Sequence, residues 1–263
     1  MNIKTALTIA GSDPSGGAGI QADLKTFSAL GVYGMSAITS VTSQNTTGVF
    51  DIFDIPAAHV SSQLDAVFTD IFPDAVKIGM VSSVEIIEAI AQSLKRYSPK
   101  NVVLDTVMVS TSGHRLLSPD ALSALTERLF PLADIITPNI PEAEILSDMR
   151  ITSAGDMELA ADIILKKYGM DVLVKGGHGI GDSSDLLVLK GEKKWLRAER
   201  IDNPNTHGTG CTLSSAIAAG LAKSLDTVSA VSEAKEYISN ALGAMLDLGS
   251  GCGPLLHNYM LMK

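Results

Sequence analysis

The segment LTIAGSDPSGGAGIQADLKTFSALG, residues 7–31, contains the three parts of a strand–turn–helix unit. Its first residues, LTIA, form an apolar run that predicts a buried strand, and a glycine-rich turn follows. After the turn, Ile20, Leu24 and Phe27 are spaced as on one face of a helix. Gly31 then lies just beyond the helix end, where glycine is common. The segment therefore predicts the first βα unit of an α/β fold.

The same alternation of apolar and amphipathic runs continues along most of the chain. It is typical of parallel βαβ units, in which helices cover both faces of a mostly parallel sheet. No repeat, low-complexity run or linker interrupts it, so we expect one domain over residues 1–263. A late hairpin around Gly191 and a helical last third complete the prediction. The predicted strands are 7–11, 33–44, 48–56, 75–80, 101–105, 134–138 and 171–177, and the predicted helices are 19–31, 56–71, 83–97, 208–225 and 227–248.

The composition argues against several classes of protein. A net charge of −9 opposes binding to nucleic acid or to an anionic membrane. No apolar run approaches the roughly 20 residues that span a bilayer, and the N-terminus lacks a basic-then-apolar leader. Cys211 and Cys252 provide no disulfide framework. We therefore expect a soluble, cytoplasmic protein.

The glycine-rich turn lies where parallel sheets bind ligands, beyond the carboxyl end of a strand. Residues 17–22 formally satisfy the dinucleotide pattern G-x-G-x-x-A, but no acidic residue follows about 20 positions on. The Gly-Lys-Ser/Thr of a P-loop is also absent. The glycines would still let a ligand approach the backbone, and Asp23 lies just inside the helix. A ligand-binding loop and a purely structural turn both remain open.

A second glycine-rich motif, HGTGC at residues 207–211, leads into an apolar helix of small residues. There, Gly208, Thr209 and Gly210 would leave backbone N–H groups free to bind an anion, helped by the helix dipole. The alternative is a glycine-rich cap on a buried helix. A helix N-terminus also tends to lower the pKa of a thiol such as Cys211, and the resulting thiolate could act as a base or nucleophile. The alternative is that Cys211 is buried and serves as a small hydrophobic residue.

Polar residues follow other predicted strands. Asn139 and Glu142, with a proline between them, fit either a helix cap or a magnesium or phosphate site. Lys175 places a cation in a glycine turn or is merely solvated, and Asp105 could hold a metal through water or cap the next segment. An anion hole, a cation and carboxylates at one edge of a sheet suit phosphoryl transfer.

Three residues could contact a flat ring. Gln44 offers a donor and an acceptor side by side, which suits the edge of a heteroaromatic amine, or it belongs to a turn. Met80 and Val107 could form apolar walls or be part of the core. The histidines have no metal-ligand spacing, so we predict no zinc site.

Six motifs occur in order along the chain: GSDPSGGAGIQADLKT, QNTTGV, VKIGM, ITPNIPEAE, VLVKGGH and HGTGCTLSSAIAAG. Together they resemble the hydroxymethylpyrimidine/phosphomethylpyrimidine kinase family of the ribokinase superfamily, from about residue 5 to the C-terminal GPLLH. The resemblance implies a three-layer ribokinase-like α/β fold, usually dimeric. It also implies that ATP and Mg²⁺ are used to phosphorylate 4-amino-5-hydroxymethyl-2-methylpyrimidine, and then its monophosphate, in thiamine biosynthesis.

The resemblance assigns residues to the two halves of the reaction. For the pyrimidine, Gly11 and Asp23 would hold the substrate, with Asp23 near the hydroxymethyl group. Gln44 would read the ring nitrogen and amino edge, while Met80 and Val107 would pack against the ring.

For the nucleotide, Asn139 and Glu142 would order Mg²⁺ and the phosphates, with Asp105 as a further metal ligand. Lys175 would steady the phosphate chain, and residues 208–210 would form the hole for the γ-phosphoryl group.

The resemblance places Cys211 where sugar kinases of the superfamily have a catalytic Asp. We expect its thiolate to accept the substrate's hydroxyl proton. Pyridoxal is the alternative substrate within the family, but the segment Gln44-Asn45-Thr46 favours the pyrimidine. A non-catalytic pyrimidine sensor is the alternative from another class, and it has no need of a γ-phosphate hole.

The chain departs from the family pattern at two positions. The family usually has Asp-Pro-Val-Met at residues 105–108, and Thr106 replaces the proline here. The loss of the proline could shift Val107. Near the C-terminus the family usually has Gly-His-Gly-Pro, and Cys252 replaces the histidine here. The role of that histidine can therefore not be carried over to this chain.

Overall fold

Strand β1 (Thr5–Ser12) lies in the middle of the sheet, between β2 (Tyr33–Asn45) and β4 (Ala75–Ile78), and runs parallel to both. The computed structural model describes residues 3–108, 117–176 and 183–262. Ala6, Leu7 and Ile9 of β1 are fully buried, because helices cover both faces of the sheet. The predicted first βα unit is confirmed, with helix α1 at Gly19–Ala29.

The strands of the described residues form one sheet of nine, in the order β3-β2-β1-β4-β5-β6-β7-β8-β9. From β2 to β7 in that order, all neighbours are parallel, while β3, β8 and β9 are antiparallel. The hairpin predicted around Gly191 is β8–β9, and the glycine takes a positive φ in its turn. The remaining strands are β3 (Gly48–Asp54), β5 (Val102–Leu104), β6 (Ile135–Ile136), β7 (Asp171–Val174), β8 (Asp185–Leu189) and β9 (Glu192–Leu196).

The helices form the two outer layers, so the predicted three-layer architecture is confirmed. One apolar core lies between the sheet and α2 to α6, and the other between the sheet and α1, α7 and α8. A π-helical turn and a 3₁₀ turn continue α4 to Leu132. The helices are α2 (Ala57–Asp70), α3 (Val84–Tyr97), α4 (Pro119–Ala124), α5 (Ile140–Ser147), α6 (Ala154–Tyr168), α7 (Thr209–Ala222) and α8 (Thr227–Gly243).

Helix α7 consists mainly of small residues because it packs tightly on both sides. It contacts the sheet, α1 and α8, and from Thr212 to Ala222 every residue is buried. A Cβ on Gly220 would lie only 2.9 Å from the Cβ of Ala230 in α8. No helix of the described residues has the length and apolar character needed to cross a membrane.

The strand order reverses at β1, since β2 lies on one side of it and β4 on the other. Such a reversal opens a crevice beyond the carboxyl ends of the strands. The carboxyl ends of β1, β2, β4, β5, β6 and β7 all lie at this edge, and the candidate residues lie there too.

Candidate active site

The loop after β1 is folded around the carboxylate of Asp13. Its oxygens accept hydrogen bonds from the N–H groups of Ser15, Gly17 and Ala18, and from the Ser15 hydroxyl. Asp13 Oδ2 also lies 2.9 Å from Nε2 of His207, which precedes α7. Burial favours a higher pKa for Asp13, but the hydrogen bonds with His207, Ser15 and Ala18 outweigh it and lower the pKa to about 2. The glycine-rich turn is therefore fastened to the HGTGC motif.

Gly11 and Met80 lie together at the crevice. Gly11 is buried, and a Cβ there would lie 2.6 Å from Ser40 Oγ and 2.7 Å from Met80 Cε. Met80 and Val107 are both half-buried, so part of each side chain remains accessible. These positions are compatible with apolar walls for a ring.

Gln44 lies near the end of β2 and is half-buried. One end of its amide is 3.3 Å from Nε2 of His207, and the other end is 3.3 Å from Oγ1 of Thr42. The strand-end position predicted for Gln44 is confirmed, and the contact with His207 joins it to the HGTGC motif.

The carboxylate of Asp23 is enclosed by protein groups, so its contact with the substrate stays a prediction. The carboxylate is fully buried and lies 2.8 and 2.9 Å from the Nζ of Lys77. The hydroxyls of Thr8 and Ser215 also donate to it, at 2.6 and 2.7 Å. These four contacts occupy the carboxylate inside the protein. Asp23 therefore holds the ammonium group of Lys77 in place beneath the crevice.

Asp105 and Lys175 form a second ion pair, beneath the start of α7. Lys175 Nζ is 2.9 Å from Asp105 Oδ1, and the Thr137 hydroxyl donates to the same oxygen at 3.1 Å. Burial favours a higher pKa for Asp105, but the charges of Lys175 and Lys77 lower it. A Cβ on Gly210 would lie 3.4 Å from Asp105 Oδ2 and 3.5 Å from Lys175 Nζ. The cation is thus close to the predicted anion hole.

Asn139 and Glu142 form a capping box at the start of α5. Glu142 N–H donates to Asn139 Oδ1, and Asn139 N–H donates to Glu142 Oε2, each at 2.9 Å. Glu142 is only 2% exposed and also accepts from the Thr106 hydroxyl at 2.6 Å and from Met108 N–H at 2.9 Å. Both oxygens are occupied, so the cap is confirmed and direct coordination of a metal by Glu142 is not supported.

The donors present nevertheless fit a hydrated magnesium ion. Within residues 3–108, 117–176 and 183–262, no group of three or more His, Cys, Asp or Glu side chains could hold a metal. Magnesium usually keeps several waters and is bound by nucleotide phosphates with one or two carboxylates. Asp105 and Glu142 supply two buried carboxylates near Lys175. Burial alone would lower the pKa of Lys175, but the negative charges of these two carboxylates raise it. They suit contact through water and not an all-protein metal cage.

The first turn of α7 presents free backbone donors. Gly208 caps the helix with φ +80°, and a Cβ there would collide with the carbonyl oxygen of Gly17. Thr209 N–H is directed to the carbonyl of Thr206. Among the described residues, no acceptor meets the N–H of Gly210 or Cys211. An anion here would find two N–H groups and the positive end of a helix.

The pKa of Cys211 changes in the opposite direction to the one expected for a helix N-terminus. Burial raises it most, Lys77 lowers it, and Asp23 and Asp105 raise it, with a result of about 11. The side chain is therefore a neutral thiol near pH 7 in the ligand-free protein. The ligand-free protein therefore does not favour a thiolate, and the role of Cys211 as a base stays a prediction.

Comparison with known proteins gives the family. Residues 13–256 match the family model described as phosphomethylpyrimidine kinase. The chain belongs to the phosphomethylpyrimidine kinase family. It is thus an enzyme of the phosphotransferase class, and we refer to it below as the kinase.

Individual relatives agree over nearly the whole length. The kinase is 54% identical to a hydroxymethylpyrimidine/phosphomethylpyrimidine kinase of Rhizobium meliloti, with 98% of each chain covered. The crystal structure of phosphomethylpyrimidine kinase from Clostridium difficile matches with 51% identity and a TM-score of 0.82, over 90% of this chain and 99% of that one. An ADP complex of Bacillus subtilis pyridoxal kinase matches with 40% identity and a TM-score of 0.92, over the full length of both. The ribokinase-like fold inferred from the sequence is confirmed.

Sequence reasoning missed three residues of this site: Asp13, Lys77 and His207. A lysine inside the apolar run AVKIGM was a signal, because a fully buried lysine is almost always paired. Asp13 and His207 stand inside the two glycine-rich motifs, but they are 194 positions apart and nothing local predicts their contact.

The two departures from the family pattern have visible consequences. The Thr106 hydroxyl holds Glu142, a contact that a proline could not make. Cys252 Sγ accepts from Thr206 N–H at 3.4 Å and lies 3.4 Å from the carbonyl of Pro204. Cys252 thus fastens the segment before His207. His178 of the VLVKGGH motif lies outside the described residues.

Proposed function

We propose that the kinase transfers the γ-phosphoryl group of ATP to the hydroxyl of 4-amino-5-hydroxymethyl-2-methylpyrimidine, and then phosphorylates the monophosphate to the diphosphate, in thiamine biosynthesis. The observation that carries the proposal is the pair of free N–H groups of Gly210 and Cys211 above the Lys175–Asp105 ion pair. Donors and a cation fixed at one point stabilise charge that develops on a transferring phosphoryl group.

The substrate would lie on the β1 side of the crevice. Gln44 would read the polar edge of the ring, and Met80 and Val107 would cover its apolar faces. Gly11, buried under Met80, would allow the close packing of that wall. Asp23 contributes indirectly, since with Lys77 it forms a buried ion pair below Cys211.

The nucleotide would lie on the β6–β7 side. Lys175 is joined to Asn139 by a parallel bridge, so cation and helix cap face the same phosphate chain. A magnesium ion would be held through water by Asp105 and Glu142, and it would neutralise charge on the phosphates. Thr209 and the two free N–H groups would complete the hole for the γ-phosphoryl group.

Cys211 is best described as a neutral group in this site. Phosphoryl transfer passes through a loose transition state in which positioning and electrostatics matter more than proton removal. The substrate's hydroxyl proton can then pass to a phosphoryl oxygen as the new P–O bond forms. An incoming phosphate would disfavour a thiolate further.

The homodimer implied by the resemblance is supported by exposed apolar side chains on both faces of the β2–β3 hairpin. Strand β3 is the edge of the sheet, and exposed apolar edge strands of native proteins are usually covered. We propose that a second copy of the chain covers this hairpin, in a single-domain cytoplasmic enzyme. Its exposed residues are Val41, Val49, Phe50, Ile52 and Phe53, with Phe50 and Phe53 67% and 65% exposed.

The test is ADP release with Mg-ATP on hydroxymethylpyrimidine, its monophosphate and pyridoxal in parallel. Turnover on both pyrimidines well above pyridoxal is the expected result. A preference for pyridoxal would leave the proposed phosphate site in place and overturn the substrate assignment. Pyridoxal is the second candidate substrate because the chain is similar to a pyridoxal kinase. Tight pyrimidine binding without ADP release would identify a sensor. A Gln44→Ala variant should weaken pyrimidine binding more than ATP binding.

A further inference from the structure

Gln44 stands at the end of a line of polar side chains that reaches into the glycine-rich loop. One amide end is 3.3 Å from His207 Nε2, and that nitrogen is 2.9 Å from Asp13 Oδ2. The other amide end is 3.3 Å from Thr42 Oγ1. The structure places the amide nitrogen beside His207 and the amide oxygen beside Thr42. The two ends of an amide have nearly the same shape, however, so hydrogen bonding decides which end is the carbonyl.

The first contact requires a proton on His207 Nε2. The two oxygens of Asp13 already accept from three backbone N–H groups and the Ser15 hydroxyl, and a carboxylate that accepts so many donors is ionised. An ionised carboxylate only accepts, so the imidazole nitrogen facing it must donate. The one hydrogen of Nε2 is thereby directed at Asp13, and the protonated nitrogen has no lone pair that could accept an amide N–H. The amide end beside it is therefore the carbonyl oxygen, which can share that hydrogen.

The second contact leads independently to the same orientation. The Thr42 hydroxyl lies 2.8 Å from the carbonyl oxygen of Ser12, and that oxygen can only accept. The single hydroxyl hydrogen of Thr42 is therefore used, and its oxygen is free to accept. The Gln44 end beside Thr42 has to be the amide nitrogen.

The His207 ring is held firmly enough to impose this orientation. Its backbone N–H donates to the carbonyl of Gly253, and a parallel bridge joins it to Pro254. A Cβ on Gly17 would collide with ring atom Cδ2, so the ring lies directly against that glycine.

We propose that Asp13 and His207 are positioning residues that fix the Gln44 amide in one orientation, and so set the order of donor and acceptor that the kinase offers to the substrate ring. The proposal rests on the proposed function, in which Gln44 reads a heteroaromatic amine. Thr42 and His207 leave one amide N–H and one carbonyl lone pair of Gln44 for the ligand. A ring with an acceptor nitrogen beside an amino donor can match that pair, whereas a ring with the reverse order meets it donor to donor.

The experiment compares hydroxymethylpyrimidine with its 4-oxo analogue, whose carbonyl and ring N–H present the reverse order. In wild type, kcat/KM should favour the amine by ~100-fold or more, since a buried polar mismatch is strongly rejected. His207→Leu removes the donor and should reduce the preference below about tenfold. His207→Gln, which can place an N–H near Nε2, should keep most of it.

Exposed His59 in α2 provides the matched control, because His59→Leu makes the same change away from the site and should keep the wild-type preference. An unchanged preference in His207→Leu would overturn the proposal. Absence of pyrimidine turnover in wild type would instead overturn the proposed function.

A ¹⁵N NMR spectrum of the imidazoles in wild type tests the proton position even if a variant does not fold. A proton on His207 Nε2 supports the proposal, and a proton on Nδ1 alone overturns it.

Discussion

Cys211 lies at the amino end of α7, where the helix favours an anion, yet two carboxylates and burial oppose one. The same residue type at an exposed helix start would have a lowered pKa. Here burial is the largest influence, and together with the charges of Asp23 and Asp105 it outweighs the opposing effect of Lys77 and raises the pKa to about 11. Surroundings distant in sequence therefore decide the protonation of this thiol.

We predict that Cys211 is alkylated slowly until strongly alkaline pH. In a Cys252→Ser background, where it is the remaining thiol, its rate of alkylation should rise with a midpoint near the pKa of about 11. The same chain unfolded in urea is the control and should titrate near the ordinary value of 9.0. A midpoint below 9.0 in the folded protein would restore the thiolate hypothesis.

Replacement of the thiol by a hydroxyl tests the catalytic consequence. If Cys211 is neutral during transfer, Cys211→Ser should keep kcat within about tenfold of wild type. Loss of a general base would instead lower kcat by roughly two to four powers of ten. Single-turnover measurements with saturating ATP distinguish the two results.

Lys77 is the other residue whose role depends on its surroundings. Lys77→Met should destabilise the protein by about 3–5 kcal/mol, because Asp23 would remain charged and buried without its partner. Adding Asp23→Asn should recover much of the loss, since the uncompensated charge disappears. Urea denaturation followed by circular dichroism measures the free energy of unfolding.

The ion pair of Lys4 and Asp74 provides the matched control. Its side chains are 36% and 35% exposed, so Lys4→Met should cost only about 0–1 kcal/mol. Equal small losses in both variants would contradict a structural role for the buried pair.

At the scale of elements, the start of α7 depends on one glycine. Gly208 and Gly191 both have positive φ, but Gly191 is surrounded by open space while Gly208 lies against the carbonyl of Gly17. Gly191→Ala should therefore cost about 1–2 kcal/mol of stability with unchanged kcat, from backbone strain alone. Gly208→Ala should also displace the free N–H groups and lower kcat by ~100-fold or more. Similar kinetics in the two variants would mean that the first turn of α7 does not bind the phosphoryl group.

The elements themselves were largely predictable. The βα unit at residues 7–31, the hairpin around Gly191 and the helix after HGTGC follow from local patterns, and each is present. Their ends were less certain: the run NVVLD yields a strand only at Val102–Leu104, because the following residues turn into the site. The pairing of Asp23 with Lys77 could not be predicted, since two strands and one helix separate them in the sequence and only the folded sheet brings them together.

At the scale of the whole molecule, the exposed apolar side chains of the β2–β3 hairpin predict the assembly. Phe50→Ser with Phe53→Ser should shift the sedimentation coefficient from that of a dimer to that of a monomer, because the apolar contact is lost. Leu261→Ser, which changes an apolar residue 76% exposed near the C-terminus, is the control and should leave the dimer intact. A monomeric wild type would remove the proposal.

The contact of Asp13 with His207 has a consequence for synthesis of the protein. The glycine-rich loop leaves the ribosome before His207, which fastens it and follows Asp13 by 194 positions. Until then, Gly17 has no Gly208 beside it and β1 has no α7 covering it. We therefore expect the loop and the first turn of α7 to be assembled only after α7 has emerged and packed against β1.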